Sequence, residues 1–174
     1  MKKRILVAFL VLLAVSPLVA KSFGYGLGMY GHSDLQDVGA FSSGVELSFV
    51  YQPWLLPFGN PSVHSKGAMG SDMQGSLTFP YVELGISVDL FRTIKHPFNR
   101  FANNIVAYSP AVSVAYHIDG EGPSHLLSVG FSPFKLSQKD FWYEFFALYV
   151  AMDIETGAVD SWGVNLVRYT YIFK

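Results

Sequence analysis

The chain of 174 residues has no cysteine. That excludes disulfides, thiol catalysis, cysteine metal sites and the lipidated cysteine of a lipoprotein. Charge is scarce as well. Only 14% of residues are Asp, Glu, Lys or Arg, against about 25% in ordinary soluble domains. The formal net charge of -1 offers nothing to nucleic acid. Long apolar runs are missing after the first twenty residues. The longest, Phe141 to Met152, is broken by Glu144 and is too short for a helix that needs about 20 residues to cross a bilayer. Cofactor motifs are missing too. His32, His64, His96, His117 and His125 lack metal-ligand spacing. Gly24, Gly26 and Gly28 sit in a strand pattern and do not open a helix, so no phosphate loop is expected.

The exceptional apolar run is at the start. Lys2, Lys3 and Arg4 precede an apolar stretch from Ile5 to Val15, followed by Ser16-Pro17-Leu18-Val19-Ala20. This is the layout of a cleaved secretory signal, and it is too short for an uncleaved anchor. Cleavage is expected before Lys21 or before Phe23. The second site places the small residues Ala20 and Ser22 at the key positions. The expected organisation is a signal peptide over 1–22 and one domain over 23–174.

What the chain does have is aromatic residues, 16% of the total, and 16 glycines, set in alternation. Period two is the signature of a strand with two unlike faces. Phe23 to Met29 alternates large apolar residues with glycine. Phe41 to Tyr51 sets Val45, Leu47 and Phe49 against Gly44, Glu46 and Ser48. Val82 to Leu90 sets aliphatics against Glu83, Gly85, Ser87 and Asp89. Val106 to Ile118 and Leu127 to Pro133 flank a turn cluster, Asp119 to Ser124. Pairing Ile118 with His125 aligns Tyr116 with Leu127, Val114 with Val129, Val112 with Phe131 and Pro110 with Pro133. The small residues then match as well, Ala115 with Ser128 and Ser113 with Gly130. A slip of one would mix the faces. Phe141 to Met152 and Trp162 to Phe173 complete seven strands around a turn at Glu155-Thr156-Gly157, with a bulge expected where the phase changes at Leu166-Val167.

A closed single-chain barrel has an even strand number, so an eighth strand is expected between Gln52 and Gly75. The best aromatic segment is Trp54 to Phe58, which leaves Asn60 to Gly75 as a polar extracellular loop. Short turns near Gln52, Lys95 and Ser137 would face the periplasm. Arg92, Lys95, His96 and Arg100 would form a small, solvated basic turn.

The bare faces carry Gly, Ala and Ser rather than the charges of a solvated sheet. Small side chains suit the interior of a narrow barrel. The large faces end in Tyr30, Phe41, Tyr51, Phe79, Tyr81, Tyr116, Trp162 and Phe173, the pattern of aromatic girdles around a hydrocarbon band. The fold expected is all-β: an eight-stranded antiparallel transmembrane β-barrel, monomeric and in contact with outer-membrane lipid. A secreted β-sandwich shares the alternation and is the alternative fold.

On this pattern the chain resembles the small outer-membrane β-barrels, the OmpA, OmpX and OmpW-like group. The closing Tyr169, Tyr171 and Phe173 resemble the C-terminal signal read by the barrel-assembly machinery, although Lys174 follows the final aromatic. The resemblance implies an outer-membrane location in a double-membraned bacterium and a structural or surface-exposed role.

The expected interior holds Glu46, Glu83, Asp89, His117, Glu144 and Arg168. Buried charges must be paired, so Arg168 is expected to bridge some of Glu46, Glu83 and Glu144 in a plug. Two other readings remain. In the hairpin register His117 lies diagonal to Ser128 on the inner face, with Asp119 two residues on, an arrangement able to activate a serine. Barrels of this group that modify lipid A or phospholipid acyl chains use such residues. An inward Glu144 would also turn Phe146, Leu148 and Val150 inward, giving an apolar lumen for a small hydrophobic ligand, as in OmpW-like barrels.

Overall fold

A computed structural model describes residues 22–35, 41–52, 61–91, 105–120, 125–138 and 140–173. The leader lies outside these residues except for Ser22, which opens the first strand. Eleven strands follow: β1 Ser22–Asp34, β2 Phe41–Gln52, β3 Pro61–Asp72, β4 Leu77–Thr78, β5 Tyr81–Asp89, β6 Ile105–Tyr108, β7 Ala111–Asp119, β8 His125–Ser132, β9 Phe134–Gln138, β10 Phe141–Asp153 and β11 Val159–Phe173.

They form eight staves, because β4 leads into β5 while β6–β7 and β8–β9 are single staves broken at Pro110 and Pro133. Proline has no N–H for a ladder, so an interruption at these two positions is expected. Each stave pairs antiparallel with its neighbours in chain order. β1 against β11 closes the barrel, with Phe23 opposite Phe173. Ser22 and Phe173, the first and last described residues, are therefore at one end, called here the terminal end. At the opposite, far end the β3–β4 and β10–β11 turns use Gly75 and Gly157 at φ 84° and 69°, a left-handed conformation that glycine adopts without a side-chain clash.

The hairpin of β7 and β8 has the register its two faces demand. Ala111 meets Ser132, Val112 meets Phe131, Val114 meets Val129, Ala115 meets Ser128 and Ile118 meets His125. The bulge in β11 is also where the phase changes, since Met29 pairs Val167 but Tyr30 pairs Asn165, skipping Leu166.

Three expectations are corrected. The stretch expected as a loop from Asn60 to Gly75 contains the missing stave, β3, over Pro61–Asp72. The proposed strand Trp54 to Phe58 lies outside the described residues. β3 escapes the alternation rule because its outward residues include Ser65, Gly67 and Ser71, which give no apolar stripe. Tyr30 and Tyr81, expected in the girdles, are 2% and 1% exposed and point inward. Alternation itself requires this, since Tyr30 continues the Gly24-Gly26-Gly28 face and Tyr81 the Glu83-Gly85 face. Phe146, Leu148 and Val150 face outward, although Glu144 faces in. Phe146 takes φ 54°, and this left-handed residue shifts the phase of β10 by one. The barrel is closed, which removes the sandwich alternative.

Outward faces elsewhere are apolar: Tyr25, Leu27 and Met29 on β1, Leu47 and Phe49 on β2, Leu84 and Ile86 on β5, Val114 on β7, Val129 on β8 and Leu148 on β10 are all exposed. A water-soluble monomer rarely shows so continuous an apolar surface.

Candidate functional site

The bare faces line a narrow lumen, and register decides what fills it. On one face of a sheet, directly opposed residues are close neighbours. Gly28 of β1 is opposed by Glu46 on one side and Arg168 on the other. With no side chain at Gly28, the two charged groups meet above it. Arg168 Nε and Nη2 donate to Glu46 Oε1 at 2.7 and 2.6 Å. On its other flank Arg168 is opposed by Glu144, and Nη1 donates to Glu144 Oε2 at 2.8 Å. Tyr81 Oη donates to the remaining Glu46 oxygen at 2.6 Å. A buried carboxylate that is 1% exposed thus has both oxygens satisfied, which is what burial of a charge requires.

Arg168 therefore joins Glu46 and Glu144. The other two predicted acids have different partners. Glu83 accepts from Lys66 Nζ at 3.0 Å and Asp89 from Lys135 Nζ at 2.8 Å. Both lysines are absent from the expected set. Lys66 is on β3, the stave without an apolar stripe. Lys135 follows the break at Pro133, which shifts the alternation by one and turns it inward. Its ammonium also lies 4.1 Å from the centre of the Trp142 ring.

Toward the far end the filling changes from charges to rings. Tyr30, His32, Tyr81, His117 and Tyr149 cluster in the lumen. Tyr81 stacks on His117 at 5.0 Å and meets Tyr149 edge-on at 5.4 Å. His32 Nδ1 and the Tyr149 hydroxyl are hydrogen-bonded at 2.6 Å. The bulk is accommodated by glycine. Tyr149 is opposed by Gly130 and Gly163 on its two sides. Tyr30 is opposed by Gly44, which is opposed in turn by Gly70. These tyrosine–glycine pairs are the signal by which the ring cluster is legible once the register is known.

His117 is 0% exposed, with Tyr81 stacked on it, and Ser128 is also buried. Leu126 is directly opposite His117 and Ala115 opposite Ser128, so the two are diagonal neighbours. The Asp119 side chain lies outside the described residues, as do Arg92, Lys95, His96 and Arg100. Among the described residues, no group of three or more His, Asp or Glu side chains is placed to hold a metal ion.

No protein-family model matches the chain, and no curated protein matches it by sequence. Solved structures match by shape. The crystal structure of Neisserial surface protein A has a TM-score of 0.54 at 9% identity, over 88% of this chain and 97% of that one. The N-terminal β-barrel domain of Pseudomonas aeruginosa OprF gives 0.47 at 9% identity, over 86% of this chain and 97% of that one. Ail, the attachment invasion locus protein of Yersinia pestis, gives 0.42 at 11% identity, over 90% and 100%. At such identities the likeness concerns the fold. With the ladder closed between β11 and β1, the architecture is that of the small eight-stranded outer-membrane β-barrels.

Proposed function

We propose that this chain is exported and inserted as a monomer in the outer membrane of a double-membraned bacterium. There it acts as a structural or surface-exposed barrel whose lumen does not conduct ions. The observation that carries the reading is the Arg168–Glu46–Glu144 cluster with Tyr81 above it, spanning the lumen from four staves. An ion passing this level would have to displace charge-assisted bonds, which are the strong ones. The outward apolar faces suit acyl chains, and a closed ladder leaves no backbone edge in lipid.

Tyr169, Tyr171 and Phe173 face outward opposite Leu27, Tyr25 and Phe23. We infer that they are read by the barrel-assembly machinery before β1 and β11 pair. Acyl chemistry at His117, Ser128 and Asp119 is the weaker reading, because the enclosed imidazole offers a lipid substrate no approach. Passage of a hydrophobic ligand loses its support with Phe146, Leu148 and Val150 on the outside.

The test is planar-bilayer recording of the refolded mature chain, together with cell fractionation and heat-modifiable gel mobility. A folded band in the outer-membrane fraction and no steady conductance are expected. A stable open channel in the wild-type protein would overturn the sealed lumen.

A further inference from the structure

The far end of the barrel carries apolar side chains beyond the reach of lipid. A tilted strand crosses a bilayer in about 9–11 residues. Counted from the terminal end, that length reaches Ser42 on β2, Ser71 on β3, Phe79 just before β5 and Gly163 on β11. Phe41, Phe79 and Trp162 stand exposed at this level, and such a belt of aromatics marks the edge of the hydrocarbon. Large apolar residues continue past it. Leu35, Met73, Leu77, Ile154 and Val159 all lie farther out, each about half exposed or more. Met73 and Leu77, at 75% and 68%, are the most exposed large apolar residues described. Below the belt such residues face acyl chains; above it they face water, and a patch of them there marks a place where something docks.

They gather at two places on the rim. Leu77 pairs with Ser71 across the β3–β4 turn, which carries Met73. The Leu35 N–H donates to the Asp160 carbonyl at 2.9 Å, which sets Leu35 beside Val159, and Val159 is opposite Met152, two residues before Ile154. The charge around both places has one sign. The four far-end connections, residues 34–41, 72–80, 119–125 and 153–160, hold eight Asp or Glu and not one Lys or Arg. The lumen is different, since Glu46, Glu83, Asp89 and Glu144 each meet a cation there. Asp72 and Asp153 accept turn amides but keep their charge, and Glu155 is exposed in the β10–β11 turn.

We propose that the far rim docks a basic, amphipathic polypeptide segment, whose Lys or Arg side chains answer the acids while its apolar side chains sit on Met73 and Leu77. Charge complementarity selects this occupant and steers its approach. Methionine, unbranched and polarizable, adapts to an irregular partner surface. A second copy of the chain would bring like charges together, and anionic lipid headgroups would be repelled in the same way. A metal cation would answer the acids but leave the apolar residues in water. The inference rests on the surface-exposed role proposed above and adds the chemistry of the partner.

The experiment measures binding of a fluorescent, Lys-rich peptide containing Leu to the full mature chain in nanodiscs of zwitterionic phospholipid. Anisotropy is the readout, empty discs are subtracted, and the control peptide has Glu in place of Lys. The variants are Met73→Ser with Leu77→Ser, and Glu155→Lys. Each is first shown to keep the folded gel mobility, and since they sit in different turns, either alone serves if the other does not fold. Wild-type protein should bind the basic peptide saturably, and less tightly as salt rises. The double serine variant should bind about tenfold more weakly, as the loss of two partly covered apolar side chains implies. Glu155→Lys should bind about threefold more weakly. No saturable binding, equal binding of the acidic peptide, or equal affinity in wild type and variants would each overturn the proposal. Self-association of the wild-type chain through the same residues would overturn it too, and assign the rim to a second copy. Fractionation and channel recording test the barrel reading separately, since a conducting lumen would break that reading and leave a peptide result in place.

Discussion

In the far half of the lumen, five aromatic and imidazole rings fill space against glycine; in the terminal half, three cations hold four carboxylates, Arg168 taking two of them. Ring packing is a matter of volume, so it tolerates change of chemistry better than change of size. Ion pairs in a low-dielectric interior tolerate change of size better than loss of a partner. The two halves should therefore break in different ways.

The largest effect is expected in the charged half. Arg168→Ala strands Glu46 and Glu144 in the interior and should cost about 3–5 kcal/mol, read as a lower midpoint of urea unfolding in lipid vesicles. Neutralising both acids in the same chain, with Glu46→Gln and Glu144→Gln, should recover most of that loss. If the triple variant is no more stable than Arg168→Ala alone, the charges are not what the substitution exposes.

Next comes the ring half. Tyr149→Ala removes the ring between Gly130 and Gly163 and should cost about 3 kcal/mol, with no rescue from any change of charge. Gly163→Ala attacks the same contact from the opposite side. A methyl group there would lie 2.5 Å from the Tyr149 ring, and overpacking of this kind costs about 1–3 kcal/mol. Combining Gly163→Ala with Tyr149→Leu should cost less than the sum of the two single changes, which a double-mutant cycle measures. Simple additivity would mean that the glycine is not there for the ring.

The smallest effect lies outside both halves, at the far rim. Asp153 Oδ1 accepts from the Thr156 and Glu155 amides at 2.6 and 2.9 Å and from the Thr156 hydroxyl at 2.9 Å. The Thr156 amide bond above all, with the hydroxyl next, holds the Asp153 pKa below its ordinary value. A carboxyl depressed in this way contributes above its unfolded-state pKa, and the contribution fades as pH falls through the folded value. Asp153→Asn should therefore lower the unfolding midpoint slightly at pH 7 and leave it unchanged in acid. A difference that persists at low pH would mean that the turn depends on something other than the carboxylate.

How far each half was legible follows from where alternation holds. The β7–β8 hairpin could be placed residue by residue, because both its faces are uniform and any slip mixes them. Glu46 lies on a strand of that kind and could be placed inside, and Glu144 and Arg168 could be placed there by their charge despite the phase changes in β10 and β11. Lys66 could not, because Ser65 and Gly67 on its strand offer lipid no apolar stripe. Lys135 could not either, because the proline before it resets the phase. Phe146 hid the true faces of β10 by adopting a left-handed backbone that a bulky residue seldom takes. Alternation reports on regular pairing between unlike faces: Lys135 and Phe146 sit at or beside an irregularity, and Lys66 sits in a regular strand whose outer face is not uniformly apolar.

Gly28 has no side chain with which to make a contact, yet a methyl group on it would lie 3.0 Å from the Asn165 amide nitrogen and 3.1 Å from the Val167 carbonyl oxygen. It would also intrude where Glu46 and Arg168 reach across β1. In a saturation mutagenesis screen this position should accept alanine at a modest cost and reject larger side chains. An inventory of interactions would pass over it, because its contribution is the room it leaves for others.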